Sequence, residues 1–273
     1  MQIIKTTDEL IKFKSTLSGS VGFVPTMGAL HAGHASLISR SVSENAHTIV
    51  SVFVNPTQFL AGEDLDKYPR SQDADAKLCE SLGASAVFMP SVDEIYGKNE
   101  PTMIAPKALA SKLEGAIRPG HFDGVLCVLN KLFNLVSPTR AYFGKKDAQQ
   151  LLIVQNFVKA SFLSLKIVPC DIVRDSSGLA LSSRNAYLSD AEKAKATALS
   201  RSLKAARKAI ENGEQKASVI KELIASELAP ISAEYIAITD TNLNELDAIK
   251  PGDTLILLAA KVGGVRLIDN EWV

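Results

Sequence analysis

The sequence has 273 residues, 46% of them hydrophobic and 22% charged, so it can bury a large core and is not expected to be disordered. Thirty Lys and Arg residues balance thirty Asp and Glu residues, and this zero net charge argues against nucleic acid or an anionic membrane surface as a partner. The apolar runs are too short or too interrupted to span a bilayer, no secretory signal is recognisable, and the three cysteines form no CxxC pair. We therefore expect a cytoplasmic protein without membrane spans, disulfides or structural zinc.

Up to about residue 172 the sequence alternates short β-rich runs with segments of helical period, which is typical of parallel strands joined by crossover helices. The predicted strands are 21–25, 48–54, 85–89, 140–143 and 165–173. The predicted helices are 35–45, 72–82, 125–135 and 148–160. Because the first two strands are continuously apolar, we predict a Rossmann-like, doubly wound parallel sheet, in which ligands bind at the carboxyl ends of the strands.

The composition changes after residue 187. Residues 189–212 have the pattern of a long surface helix, and Ser189 and Glu192 have the spacing of a capping box. A second helix over 216–228 leads into runs that predict a small antiparallel sheet, 235–239, 254–260 and 265–268. We therefore predict two domains, a Rossmann-like domain of residues 1–172 that binds the substrates and a smaller α+β lid domain of residues 173–273.

The first predicted strand runs into a turn and a helix with the sequence VGFVPTMGALHAGHASL. Free backbone N–H groups and the positive end of the helix dipole favour phosphate groups at such a helix start. His31 and His34 are three residues apart and should project from one side of the first turn, while Gly28 and Gly33 let a flat base or ribose approach the backbone. This pattern predicts a nucleotide site, although a surface loop with incidental histidines and a metal site shared by the pair remain alternatives.

Further motifs make the pattern specific. Neither GxGxxG nor GxxxxGK[ST] occurs, which argues against a dinucleotide dehydrogenase or a P-loop kinase. PTMGALHAGH resembles the HxGH signature of the nucleotidyltransferase superfamily. The order and spacing of the remaining motifs, down to the terminal VRLIDN, resemble the pantothenate synthetase family; these motifs are VNPTQF (54–59), EDLDKYPR (63–70), RPGHFDGV (118–125), FGKKDAQQ (143–150) and LSSRNAYL (181–188).

The resemblance implies an ATP-dependent ligase that joins (R)-pantoate to β-alanine through a pantoyl adenylate and releases pyrophosphate and AMP. It assigns catalysis to His31, His34, Lys146 and Arg184. The residues it assigns to the ATP site are Met27, Gly28, Ala29, Leu30, His31, Ala32, Gly33, His34, Gly144, Lys145, Lys146, Asp147, Val173, Leu181, Ser182, Ser183 and Arg184. Pantoate and β-alanine are assigned to Asn55, Gln58 and Gln150. Mg²⁺ is expected to arrive with ATP and no protein metal site is predicted; family members are commonly homodimers.

Local sequence alone also allows purely structural explanations for several of these residues. Asp147 could be only a helix N-cap and Lys146 a surface charge, SSRN could be a capping turn, and Asn55 could belong to a polar turn. Lys145 and Ala148 stand where the family usually carries Glu and an aromatic residue. Arg118 and His121 lie in a substrate-facing or merely exposed loop, and no chemical step is assigned to them.

Two other functions also fit parts of the pattern. A simple nucleotidyltransferase would transfer a nucleoside monophosphate to a phosphorylated acceptor and stop there, and a nucleotide sensor would bind ATP without turnover.

The acidic group around Asp73 and Asp75 is explained equally well by helix capping, by solvation or by ion binding.

Overall fold

A computed structural model describes all 273 residues, and the chain divides into two compact units. The first unit contains Met1–Lys145 and Ile153–Cys170, and the second contains Lys146–Leu152 and Asp171–Val273. The predicted division of function between residues 1–172 and 173–273 stays a prediction.

The first unit is built on a six-stranded sheet in which every neighbouring pair is parallel. Its strands are β1 (Gln2–Ile4), β2 (Val21–Thr26), β3 (His47–Val52), β4 (Ala86–Phe88), β5 (Arg140–Gly144) and β6 (Lys166–Cys170). The five predicted strands are present. The edge strand β1 was not predicted, because it has three residues and only one of them is buried.

Helices connect these strands along the chain. They are α1 (Thr7–Ser15), α2 (Ala32–Glu44), α3 (Gln72–Ser81), α4 (Val92–Ile95), α5 (Lys107–Ala110), α6 (Leu113–Ile117), α7 (His121–Val136) and α8 (Ala148–Ala160). Three short 3₁₀ helices are formed by Pro56–Gln58, Lys145–Asp147 and Ser183–Tyr187. Helix α7 begins four residues earlier than predicted, and α1, α4, α5 and α6 were not predicted.

The strand order β1-β4-β3-β2-β5-β6 reverses direction between β2 and β5. From β2 the chain moves outward through β3 to β4, whereas from β5 it moves the other way to β6. This reversal is the switch point of a doubly wound sheet, and such sheets bind ligands at the carboxyl ends of the strands there. The predicted fold class is therefore confirmed, and it puts the carboxyl ends of β2, β3 and β5 at one edge of the sheet.

The second unit contains an antiparallel sheet and two long helices. The sheet has the order β7-β8-β9, formed by β7 (Ala233–Thr239), β8 (Leu255–Val262) and β9 (Val265–Trp272). The helices are α9 (Asp190–Glu211) and α10 (Ala217–Leu228), whose buried faces pack with β8 in one apolar cluster. The predicted capping box at the start of α9 is confirmed, because Ser189 and Glu192 exchange side-chain and backbone hydrogen bonds. No helix in the chain combines the length and the apolar character that crossing a membrane requires.

Candidate active site

Two imidazoles cap the helix that follows β2. His31 is the N-cap residue of α2, and its Nδ1 accepts a hydrogen bond of 3.1 Å from the Gly33 N–H. His34, in the first turn, accepts a hydrogen bond of 3.3 Å at Nδ1 from the His31 N–H. The two ring centroids are 4.1 Å apart, which confirms that both histidines lie on one side of the helix start.

These contacts fix which ring nitrogens can donate. A neutral imidazole has one donor and one acceptor, and in both rings Nδ1 is the acceptor. The proton of each neutral ring is therefore on Nε2. The start of α2 thus carries two Nε2–H donors in addition to its helix dipole, a combination that suits a phosphoryl group.

The loop between β2 and α2 is held by a buried carboxylate on α3. Asp75 is 2% exposed, and its two oxygens accept hydrogen bonds of 3.0 Å from the Ala29 N–H and 2.8 Å from the Leu30 N–H. Gly28 has φ +87°, and a Cβ there would lie 3.0 Å from the Val52 side chain and 3.1 Å from Asp75 Oδ2. Only glycine fits this position without strain. Sequence reasoning missed the role of Asp75, which it grouped with exposed acidic residues.

The turn after β3 is organised around a buried amide. Asn55 is 1% exposed, and its Oδ1 accepts hydrogen bonds from the hydroxyls of Tyr96 (2.7 Å) and Thr57 (2.9 Å). Its Nδ2 donates to Gln58 Oε1 (3.0 Å) and to the Gly124 carbonyl (3.1 Å). Asn55 therefore orients Gln58, and the predicted contact of either residue with a substrate stays a prediction.

Gln58 also joins this turn to the loop after β2. Its Nε2 lies 3.0 Å from the sulfur of Met27, so residues predicted for pantoate and for ATP are in contact. The adjacent backbone is approached by the first turn of α7, where a Cβ on Gly124 would overlap the carbonyl group of Thr57. The absence of a side chain at Gly124 lets the helix and the turn pack directly against each other.

Arg118 and His121 surround the main chain of Gln58. His121 is 8% exposed, and its Nδ1 lies 2.7 Å from the Gln58 carbonyl oxygen. Arg118 contacts His121 Nε2 (3.1 Å) and forms two hydrogen bonds of 2.6 Å to the carboxylate of Glu63. Burial, and next the charge of Arg118, lower the pKa of His121 to about 4. The segment 118–121 is therefore not simply an exposed loop.

The residues after β5 were predicted to bind ATP. Gly144 ends the strand, and Lys145–Asp147 form a 3₁₀ helix that continues into α8. Lys146 Nζ lies 3.4 Å from Asp147 Oδ1, with the lysine side chain 19% exposed and the aspartate side chain 51% exposed. Lys146 is thus half-buried rather than a fully exposed surface charge. Gln150, in the first turn of α8, is half-buried.

Within the second unit, the segment from Val173 to Arg184 forms a closed turn. The Val173 carbonyl accepts a hydrogen bond of 3.0 Å from the Leu181 N–H, and Ser182 caps the following 3₁₀ helix by accepting from the Arg184 N–H at 3.3 Å. The predicted capping turn is therefore present. Binding of phosphate by Ser182, Ser183 and Arg184 stays a prediction.

The terminal motif VRLIDN supports two of these segments from β9. Asp269 accepts two hydrogen bonds from the Arg174 guanidinium (2.6 and 2.9 Å), and Asn270 Nδ2 donates to the Lys146 carbonyl at 2.7 Å. Burial by itself lowers the pKa of Arg174, but the hydrogen bond and charge of Asp269 outweigh it and raise that pKa. The motif thus fixes the backbone at Lys146 and beside Val173, a role that sequence reasoning did not assign.

Comparison with known proteins decides the family. The model of the Pantoate-beta-alanine ligase family matches residues 2–272. The chain belongs to this ligase family. The pantothenate synthetase of Campylobacter fetus subsp. fetus is 62% identical over 273 residues, and that of Helicobacter pylori is 51% identical over 276 residues; both matches cover 100% of each chain.

Solved structures agree with this assignment to the pantoate–β-alanine ligases. The pantothenate synthetase of Thermus thermophilus matches with a TM-score of 0.94 at 40% identity, over 99% of both chains. The ligase of Francisella tularensis, complexed with beta-gamma ATP and β-alanine, matches with a TM-score of 0.82 at 36% identity, over 100% of this chain and 97% of that one. The resemblance inferred from the motifs is confirmed, and the chain is a ligase.

The ligase motifs thus fall into two sets. In the first unit, the loop after β2, the turn after β3 and the end of β5 share one sheet edge, and Met27, Asn55 and Gln58 form a contact chain. In the second unit, β9 holds both the Lys146 backbone and the segment beside Val173. No group of three or more His, Cys, Asp or Glu side chains is arranged to hold a metal ion.

Proposed function

We propose that the chain condenses pantoate with β-alanine at the expense of ATP, through a pantoyl adenylate. In the first half-reaction, a pantoate carboxylate oxygen attacks the α-phosphorus and the bond to the bridging oxygen of pyrophosphate breaks. In the second, the β-alanine amine attacks the acyl carbon, loses a proton and expels AMP. Binding of ATP and β-alanine in the Francisella relative supports this assignment of ligands.

The observation that carries the proposal is the pair of Nε2–H donors at the start of α2. Attack of a carboxylate on a phosphate brings two anions together, so the site needs fixed donors and cations more than a strong base. His31 and His34 supply donors for the α-phosphoryl oxygens. Lys146 and Arg184 supply cations, and an arginine can hold the departing pyrophosphate with two parallel hydrogen bonds.

Other residues bind and orient the reactants in this proposal. The backbone from Met27 to Gly33 lies along the nucleotide, Asp147 accepts from the ribose hydroxyls, and Gln58 and Gln150 donate to pantoate. Mg²⁺ enters on the ATP phosphates; the carboxylate nearest the loop, Asp75, already accepts from two amides, and we name no protein ligand for the ion.

The same proposal includes residues 173–273 as a lid, because an acyl adenylate must be protected from hydrolysis. A cytoplasmic location is proposed on the odd number of cysteines, which suits a reducing compartment, and a homodimer on the family resemblance alone.

Pyrophosphate exchange tests the two half-reactions separately. Protein, ATP and Mg²⁺ should exchange labelled pyrophosphate into ATP when pantoate is added and without β-alanine. Release of AMP should require both pantoate and β-alanine. If pyrophosphate exchange requires β-alanine, or if the reaction releases ADP and not AMP, the proposed sequence of steps is excluded. His34→Ala should lower exchange about 10²-fold while the protein stays folded.

A further inference from the structure

Two side chains of the segment 118–121 contact the main chain of Gln58, and Glu63 holds one of them. Arg118 and His121 both contact the Gln58 carbonyl oxygen, at 3.3 Å and 2.7 Å, and Glu63 holds Arg118 through two hydrogen bonds of 2.6 Å. We propose that Glu63, Arg118 and His121 are a positioning network that fixes Gln58 for recognition of the hydroxy acid substrate. The inference rests on the proposed role of Gln58 in binding pantoate.

Hydrogen-bond chemistry fixes the form of His121 in this network. A carbonyl oxygen can only accept, so Nδ1 must donate to Gln58; a guanidinium can only donate, so Nε2 must accept from Arg118. The ring is therefore neutral, with its proton on Nδ1. Protonation would add a hydrogen to Nε2, and this N–H would then point at the N–H of Arg118 and could not accept from it. His121 thus orients its neighbours, and its one ring proton is donated to the Gln58 carbonyl and not to a substrate.

The charges around His121 are paired. The side chains of Arg118 and Glu63 are 16% and 23% exposed, and their two-point contact fixes the plane of the guanidinium. Partial burial is the largest single influence on Glu63 and raises its pKa, but the hydrogen bonds from Arg118 and the Leu60 N–H, together with nearby positive charge, outweigh it and the pKa is lowered. The buried carboxylate of Glu114 also acts on the ring electrostatically. The network therefore holds its geometry with both partners of the ion pair charged.

Packing makes the network rigid. His121 is the first residue of α7, and Gly124 in the same turn lies so close to Thr57 that no side chain would fit between them. The Gly124 carbonyl also accepts from Asn55, which donates to the side chain of Gln58 as well. Gln58 is thus held at its carbonyl by α7 and at its side chain by Asn55.

This arrangement predicts an effect on one substrate. A partly buried amide such as that of Gln58 discriminates well for a hydroxyl-bearing ligand only if its orientation is fixed, since a misplaced donor leaves the ligand hydroxyl unpaired. Loosening the network should therefore weaken binding of pantoate. Binding of ATP at the loop after β2 should change much less, because Asp75 holds the backbone of that loop and Gln58 contacts it only at the Met27 side chain.

The test uses two substitutions of His121 in the full chain. His121→Phe keeps the ring shape but loses both hydrogen bonds, and should raise KM for pantoate about tenfold, the equivalent of one net hydrogen bond. KM for ATP should stay within about twofold. His121→Asn retains a donor near the position of Nδ1 and should restore most of the loss. Arg118→Lys removes the two-point ion pair and provides a second variant should His121→Phe not fold.

A double-mutant cycle with Gln58→Ala distinguishes the possible failures. If the network acts through Gln58, adding His121→Phe or Arg118→Lys to Gln58→Ala should change KM for pantoate less than about twofold. If the effects of the two substitutions on KM for pantoate are fully additive, or if KM for pantoate and KM for ATP rise equally, the proposed network is wrong. If Gln58→Ala itself leaves KM for pantoate unchanged, the proposed role of Gln58 is wrong instead. Arg266→Lys is the matched control, since Arg266 and Glu234 form a comparably exposed pair in the sheet of the second unit.

Discussion

The histidines at the start of α2 cap the helix, and we propose that they also bind the phosphate. Nδ1 of each ring accepts a backbone N–H of the helix start, and this leaves Nε2–H as the donor of each neutral ring. A histidine at such a position could therefore only cap the helix, or it could cap the helix and also bind the phosphate. A substitution that preserves the helix cap and removes the Nε2–H donor distinguishes these two cases.

His31→Asn is such a substitution. Asparagine is among the best N-cap residues, so the free energy of unfolding should change by less than about 0.5 kcal/mol. Because the Nε2–H is lost, the rate of adenylation should fall about 10²-fold. Urea unfolding and pantoate-dependent pyrophosphate exchange measure the two effects. Normal exchange in a folded His31→Asn protein would leave the ring with a capping role only.

At the scale of elements, the loop after β2 depends on helix α3. Asp75→Ala would leave the N–H groups of Ala29 and Leu30 without their carboxylate acceptor. We expect a loss of about 1–3 kcal/mol in the free energy of unfolding, together with a raised KM for ATP. Asp73→Ala is the control, because Asp73 lies on the same helix and is exposed. Equal effects of the two substitutions on KM would contradict a specific role for Asp75.

The sheet of the second unit depends in the same way on a buried ion pair. Asp269 is 3% exposed and holds Arg174, so Asp269→Ala would leave a partly buried guanidinium without its partner. The free energy of unfolding should fall by about 3–5 kcal/mol. Glu211→Ala removes an exposed partner of Arg207 and should cost less than about 1 kcal/mol. Urea unfolding of both variants checks this, and similar costs would show that the pair at Asp269 contributes little.

Sequence patterns predicted the elements better than the contacts between them. Continuous apolar runs such as 21–25 identify buried strands without knowledge of their neighbours. The start of α7 was placed too late, because the apolar run begins at Val125 whereas the helix begins after Gly120, which has a left-handed φ of 83°. The contact of Asp75 with Ala29 spans 46 residues, and no local pattern of an acidic helix surface distinguishes one buried carboxylate from its exposed neighbours.

Across the whole molecule, the spacing of the motifs predicted the family. The same spacing did not predict which distant residues hold the motifs in place. Asn270 reaches the Lys146 carbonyl across 124 residues of sequence, and Glu63 reaches Arg118 across 55. Such pairs depend on how the elements pack and not on local propensity. The family was readable because its motifs consist of particular residue types at fixed spacing.

Stability against acid should also report on the network around His121. Its pKa is lowered from 6.5 to about 4, so below pH 6.5 the unfolded chain takes up a proton that the folded protein does not accept until about pH 4. The stabilising contribution is present above pH 6.5 and is lost as the pH falls, by about 2 kcal/mol between pH 7 and pH 5. Urea unfolding at both pH values should show a smaller loss in His121→Asn than in the unmodified protein. Equal losses would mean that His121 is not held neutral.

The proposed reaction requires AMP to activate the pantoate carboxylate, and isotope transfer measures this step. Pantoate labelled with ¹⁸O in both carboxylate oxygens is turned over with ATP and β-alanine, and the products are analysed by mass spectrometry. The AMP formed should carry one ¹⁸O atom, because the attacking carboxylate oxygen stays on the α-phosphorus when the amine displaces AMP. AMP without the label, or label in inorganic phosphate, would exclude the pantoyl adenylate.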